Sequence, residues 1–130
     1  MARAVRAVIG EKTTGDVYSA ECPCRDLLDV IANKWAALVI GALADGSVRF
    51  GALQRRLTGV SPKVLTATLR RLEEFGLVDR KVVPAVPLHV EYSLTETGRS
   101  ALEPVFALRD WAESRYEFAQ AHAQRAAVTS

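Results

Sequence analysis

Two groups of side chains in this sequence are of the types and spacings that do chemistry. The first is Ser61, Lys63, Thr66, Ala67 and Arg70. At helical spacing they fall on one side of a single helix, opposite Leu65, Leu69 and Leu72. On such a side Lys and Arg donate to guanine edges and phosphates, while Thr and Ala pack against a thymine methyl. The second group is Cys22-Pro23-Cys24, which holds the only two cysteines of the chain. A thiol at the start of a helix is favoured as the thiolate, and Pro23 favours a helix start there. Arg25 and Lys34 would add to that effect, and Glu21 and Asp26 oppose it. A buried, inert cysteine at a helix start has the same local sequence, so both readings stay open. A bond between Cys22 and Cys24 is expected to be strained at so short a separation, which favours a bridge between subunits or a mixed disulfide as the oxidised product.

Other chemistry is not expected. There is no nucleophile elbow, phosphate-binding loop or dinucleotide fingerprint. His89 and His122 lack zinc-finger or metalloprotease spacing, so neither a metal, a cofactor nor an enzymatic activity is predicted. Ser61 precedes a proline as a helix cap does, which is the wrong setting for a nucleophile.

The elements that must carry these residues follow from periodicity. Arg25–Asn33 and Lys34–Ala44 read as helices, the second ended by Asp45-Gly46. Ser47–Arg49 reads as a short strand and Phe50–Leu57 as a third helix. Ser61-Pro62 then caps a fourth helix that runs to about Phe75, with Gly76 ending it. Leu77–Pro84 and His89–Leu94 alternate as strands, with a hairpin tip at Pro84-Ala85-Val86-Pro87. Thr95 caps a last helix to about Gln124, kinked at Pro104. The order predicts a mainly α fold with a small β-hairpin wing, a winged helix-turn-helix with N- and C-terminal dimerisation helices. Residues 1–20 are expected to form an arm, residues 21–96 the winged domain, and residues 97–130 the C-terminal dimerisation helix and tail.

Charge supports a polyanionic partner. The 130 residues carry 17 Lys+Arg and 15 Asp+Glu, a net +2. Residues 49–81 hold eight cations against Glu73, Glu74 and Asp79, a net +5 between mildly acidic flanks. Arg55 and Arg56 on the third helix, and Arg80 and Lys81 on the first wing strand, are candidate phosphate contacts. Salt-bridged solvated helices would carry charge in the same way. No apolar run is long enough for a membrane span, and the broken apolar stretch at the N-terminus does not suit a signal peptide. A cytoplasmic protein is therefore expected.

On the last helix, Ala101, Val105, Leu108, Ala112, Tyr116 and Ala119 share one face, widened by Leu102 and Phe106. Trp111 and Phe118 project from another side. One stripe suffices to dock on the chain's own domain, and the second predicts a homodimer, or a contact with residues 1–20. Trp35, Trp111 and Tyr116 are the candidates for an aromatic-lined effector pocket, with ordinary core packing as the alternative.

The runs Cys22-Pro23, Ile31-Ala32-Asn33-Lys34-Trp35 and Arg49-Phe50-Gly51-Ala52-Leu53 are familiar together. With them stand Val60–Thr66, Leu72–Val78 and Val90–Arg99. Over about Cys22–Trp111 the chain resembles the HxlR-type, MarR-like branch of bacterial winged-helix regulators. The resemblance implies a homodimeric transcription factor that binds a palindromic duplex through the Ser61–Phe75 helix and its wing. It also implies, for some relatives, a response to oxidants or electrophiles, carried in the redox-sensing members by the cysteine matching Cys22. Three departures stand out. His89 occupies a wing position that is often basic in the family, Asn33 replaces a common glycine, and Cys24 is additional to the usual single cysteine. Two other readings accompany this one: a small-molecule-responsive regulator without thiol sensing, and a winged-helix protein-interaction module that binds no DNA.

Overall fold

The computed structural model describes residues 14–129. Most of the expected N-terminal arm, residues 1–13, lies outside the described residues. Helix α1 (Pro23–Ile31) starts at the proline, with Cys22 as its N-cap residue. Helix α2 (Lys34–Ala42) follows after one turn, and Asn33 is its cap. The Asn33 side chain accepts hydrogen bonds from the amides of Trp35 and Ala36, at 2.9 and 3.2 Å. The asparagine that departs from the family pattern thus satisfies two donors that a glycine would leave to solvent.

Strand β1 (Val48–Arg49) leads into helix α3 (Phe50–Arg56). Helix α4 (Pro62–Glu74) opens as its sequence indicates: Ser61 Oγ accepts from the Val64 amide at 3.1 Å, and Pro62 takes a first-turn position. It closes at Gly76, whose φ of 72° is in the left-handed region. The Gly76 amide donates to Glu73 and the Leu77 amide to Leu72, the paired bonds of a Schellman motif. Strands β2 (Val78–Val83) and β3 (His89–Leu94) form the wing. The antiparallel sheet has the order β1-β3-β2, with Val48 and Arg80 both opposite Tyr92.

One core joins these elements. Leu65, Leu69 and Leu72 of α4 pack with Val39, Ile40 and Leu43 of α2, Leu53 of α3, and Val78 and Tyr92 of the sheet. The leucine stripe inferred from the α4 sequence is therefore the buried one. Val78 is buried, but Val82, in the same alternation, is exposed because the wing has run past the edge of the core by that point.

The C-terminal region differs from the single kinked helix expected. Helix α5 (Glu96–Ser100) ends at Ala101, and helix α6 (Leu102–Thr129) begins anew. Pro104 lies in the first turn of α6, where its missing N–H removes no intrahelical bond. A continuous helix would need that N–H for the Ser100 carbonyl, so the chain breaks one turn earlier instead of bending at the proline. The start of α6 packs on the domain through Leu102, Val105 and Phe106, next to Ala101. From Trp111 to Val128 every side chain is exposed.

Candidate nucleic-acid interface

Helix α4 presents its polar side between two clefts. On one flank Thr66, Arg70 and Glu73 line a cleft with Arg80 and Tyr92 of the wing. On the other flank Ala67, with Val64 and Arg71, lines a cleft against Asp29 and Asn33. Lys63 stands exposed on the stripe between them. Ser61, Lys63, Thr66, Ala67 and Arg70 are all solvent-facing and close at hand for one another, as a groove-reading helix requires.

The other expected contacts are sorted by the fold. Arg80 lies opposite Tyr92 and faces α4, so it joins Arg70 and Thr66 at one cleft. Lys81 alternates to the other sheet face, opposite Glu91. Glu91 also sits opposite Arg49 of β1 and receives His89 Nε2 at 3.0 Å. Lys81 and His89 therefore lie with Arg49 and Glu91 on the back of the sheet, apart from the Arg70–Arg80 cleft. Sequence spacing alone gave no sign of this grouping, because strand register brings these residues together. Arg56 lines a different cleft, between α2 and α6, while Arg55 stays exposed on α3. The wing tip, Pro84–Leu88, has no charged side chain, and Val86 and Leu88 are exposed.

At the other end of the fold the two cysteines are free and half-exposed. Their sulfurs converge on Gly15: a Cβ built there would lie 2.7 Å from Cys22 Sγ and 2.8 Å from Cys24 Sγ. The Asp16 amide donates to Cys22 Sγ at 3.4 Å. A hydrogen bond from the Cys24 thiol, followed by the Asp16 amide, holds the Cys22 thiol below the ordinary value for cysteine. The same pairing pushes Cys24 up. The stabilising groups are thus a neighbouring thiol and a main-chain donor, in place of the Arg25 and Lys34 charges expected from the sequence.

The aromatic pocket expected around Trp35, Trp111 and Tyr116 takes another form. A cavity of about 610 Å³ opens between α2 and α6, walled by Trp35, Leu38, Leu57, Phe106, Leu108 and Ala112. Trp111 points away from it around the helix, and Tyr116 lies one turn beyond its end; both are exposed. Among the described residues no group of three or more His, Cys, Asp or Glu is placed to hold a metal ion, and no helix is long and apolar enough to cross a membrane.

Comparison with known proteins agrees with this architecture. The family model for the HxlR-like helix-turn-helix matches residues 30–120. The HTH-type transcriptional regulator YtfH of Escherichia coli K12 is 42% identical over 99 residues, covering 76% of this chain and 79% of that protein. The solved structure of ytfH from Salmonella typhimurium is 41% identical with a TM-score of 0.76, covering 86% of this chain and 98% of that one. The redox regulator HypR in its oxidised form is also 41% identical, with a TM-score of 0.66, covering 72% of this chain and 96% of that one.

Proposed function

The chain belongs to the HxlR-like helix-turn-helix family of transcriptional regulators, which are not enzymes, and from that premise we propose that it binds duplex DNA as a homodimer. In this reading α4 enters the major groove, where Ser61, Lys63, Thr66, Ala67 and Arg70 meet bases and phosphates. Arg80 holds the adjacent backbone, and Arg55 is a peripheral phosphate contact. The observation that carries the reading is the shared cleft: Arg70 of α4 and Arg80 of the wing open onto one solvent-facing surface. Two successive elements of the chain thus bring cations to one side, as a duplex requires of a helix and its wing.

Dimerisation rests on surface that one protomer leaves uncovered. Trp111 and Phe118 are 62% and 73% exposed, and Leu27 and Leu28 of α1 are exposed as well. A two-fold pairing of α6 helices would cover the aromatic side and set two α4 helices about 34 Å apart, one turn of a palindromic site.

Regulation is assigned to Cys22, whose thiolate is favoured by its neighbours. Similarity to the redox regulator HypR supports an oxidant or electrophile as the signal. A cytoplasmic site of action follows from the same reading.

The test selects sites from random duplex DNA with the full chain, then measures affinity by fluorescence anisotropy. Simultaneous Lys63→Glu and Arg70→Glu should weaken binding roughly a hundred-fold or more, while circular dichroism stays that of the parent. Affinity should also fall steeply with salt as counterions are released. A folded double variant with parental affinity overturns the assignment, and the absence of any salt-dependent duplex binding leaves a protein-interaction module in its place.

A further inference from the structure

The two thiols at the start of α1 act as a pair. Cys22 is the N-cap residue and Cys24 lies in the first turn, with Pro23 between them. Within a helix, residues two apart point to opposite sides. Here the cap residue is extended, with φ −81° and ψ 126°, and the two side chains come together instead. Both sulfurs lie within 2.8 Å of the point that a Gly15 Cβ would occupy, so they share a space that exists because residue 15 has no side chain. The thiols are hydrogen-bonded to each other, and the Asp16 amide donates to Cys22 Sγ at 3.4 Å.

Both sulfurs are free and half-exposed. A direct S–S bond between residues so close in sequence is strained. Structural zinc takes four protein ligands. The chain has no third cysteine, and among the described residues no His, Asp or Glu joins the pair in a group of three that could hold a metal ion. Two adjacent thiols satisfy a soft centre that asks for two sulfurs only. Trivalent arsenic with one carbon substituent is such a centre. It is pyramidal, so it takes both sulfurs on one side and keeps its carbon in the third position. A linear two-coordinate ion needs its sulfurs at opposite ends, which their convergence on Gly15 opposes.

We propose that Cys22 and Cys24 of one chain form a chelating dithiol site for a trivalent, monosubstituted organoarsenical. Each thiol displaces one hydroxyl of the dihydroxide R–As(OH)2. Two As–O bonds break and two As–S bonds form, and the two thiol protons leave with the hydroxyls as two waters. Arsenic stays trivalent and no electrons are transferred, so no oxidant is required. The inserted atom also relieves the constraint that a direct S–S bond imposes at this separation. Unlike the oxidant response assigned to Cys22, this chemistry needs both sulfurs of the same chain, and it rests neither on that response nor on DNA binding.

The test treats the full chain, reduced and freed of small thiols, with phenylarsine oxide, which hydrates to the dihydroxide. Mass spectrometry counts the arsenic bound, and thiol titration counts the cysteines consumed. One phenylarsenic per chain is expected, with both thiols lost together. The adduct should survive excess 2-mercaptoethanol and be released by 2,3-dimercaptopropanol, a competing dithiol. Cys24→Ser keeps a hydrogen-bond donor beside Cys22 but cannot chelate, and it should hold the arsenical about a hundred-fold less tightly or worse. Cys22→Ser should show the same loss, with circular dichroism of both variants that of the parent. Absence of an adduct on the parent chain overturns the proposal. One thiol consumed per arsenic, or parental retention by either variant, overturns the chelate. A single arsenic joining two chains overturns the intrachain site. No DNA and no oxidant enter this measurement, so its failure is distinct from failure of the regulator reading.

Discussion

The Gly98 Cα is seated directly against the Leu77 carbonyl, with no room for a side chain between them. That carbonyl accepts the Thr95 amide at 3.1 Å, and Thr95 Oγ1 donates to the Gly76 carbonyl at 2.6 Å while accepting from the Gly98 amide at 3.0 Å. The turn that ends α4 is thereby fastened to the start of α5.

Gly98→Ala should therefore be strongly destabilising. The new methyl would meet main chain rather than a yielding side chain, and overpacking of this kind removes roughly 3 kcal/mol. A melting midpoint lower by several degrees is expected by calorimetry. An unchanged midpoint would show that α5 can move aside freely.

The two wing cations should separate in a DNA-binding assay. Arg80 shares the α4 cleft, and Lys81 faces Glu91 on the reverse of the sheet. Arg80→Gln is expected to weaken binding and to reduce the slope of log affinity against log salt by about one. Lys81→Gln should leave that slope nearly unaltered. Equal slopes for the two variants would mean that the back of the sheet also meets phosphate.

Thiol reactivity should follow the hydrogen bonds at Cys22. Donation from Cys24 and the Asp16 amide favours the thiolate, so the folded pKa is depressed and alkylation of Cys22 should reach its half-maximal rate below the ordinary thiol value. Cys24→Ala removes the leading donor, and the midpoint should move up. Cys24→Ser retains a hydroxyl donor and should move it less. The rate of iodoacetamide labelling against pH, read by mass spectrometry of the Cys22 peptide, checks the order; coincident profiles for all three proteins would remove Cys24 from the account.

The exposed aromatic side of α6 sets the expected oligomer. Sedimentation equilibrium at micromolar concentration should give a dimer for the parent chain. Trp111→Ser with Phe118→Ser should give a monomer that keeps its helical circular dichroism, because both side chains are largely exposed and neither belongs to the core of its own protomer. A dimer that survives both changes would place the interface elsewhere.

Much of this protein was set by local sequence. Ser61-Pro62, Gly76 and the Leu65/Leu69/Leu72 stripe determine α4 at both ends and on its buried face, because capping and 3.6-residue periodicity act within one segment. Alternation marked the wing strands for the same reason. Tertiary structure decided the relations between segments. Strand register placed Arg80 beside α4 and sent Lys81 to Glu91, although the two are adjacent in the chain. The fold of residues 14–24 brought Gly15 and Asp16 onto the thiols, where the sequence pointed to the helix start with Arg25 and Lys34. Small residues on two helices far apart in sequence opened the α2–α6 cavity, and the position of α6 kept Trp111 and Tyr116 out of it. Those outcomes depend on which surfaces meet, and no periodicity within a single element encodes that.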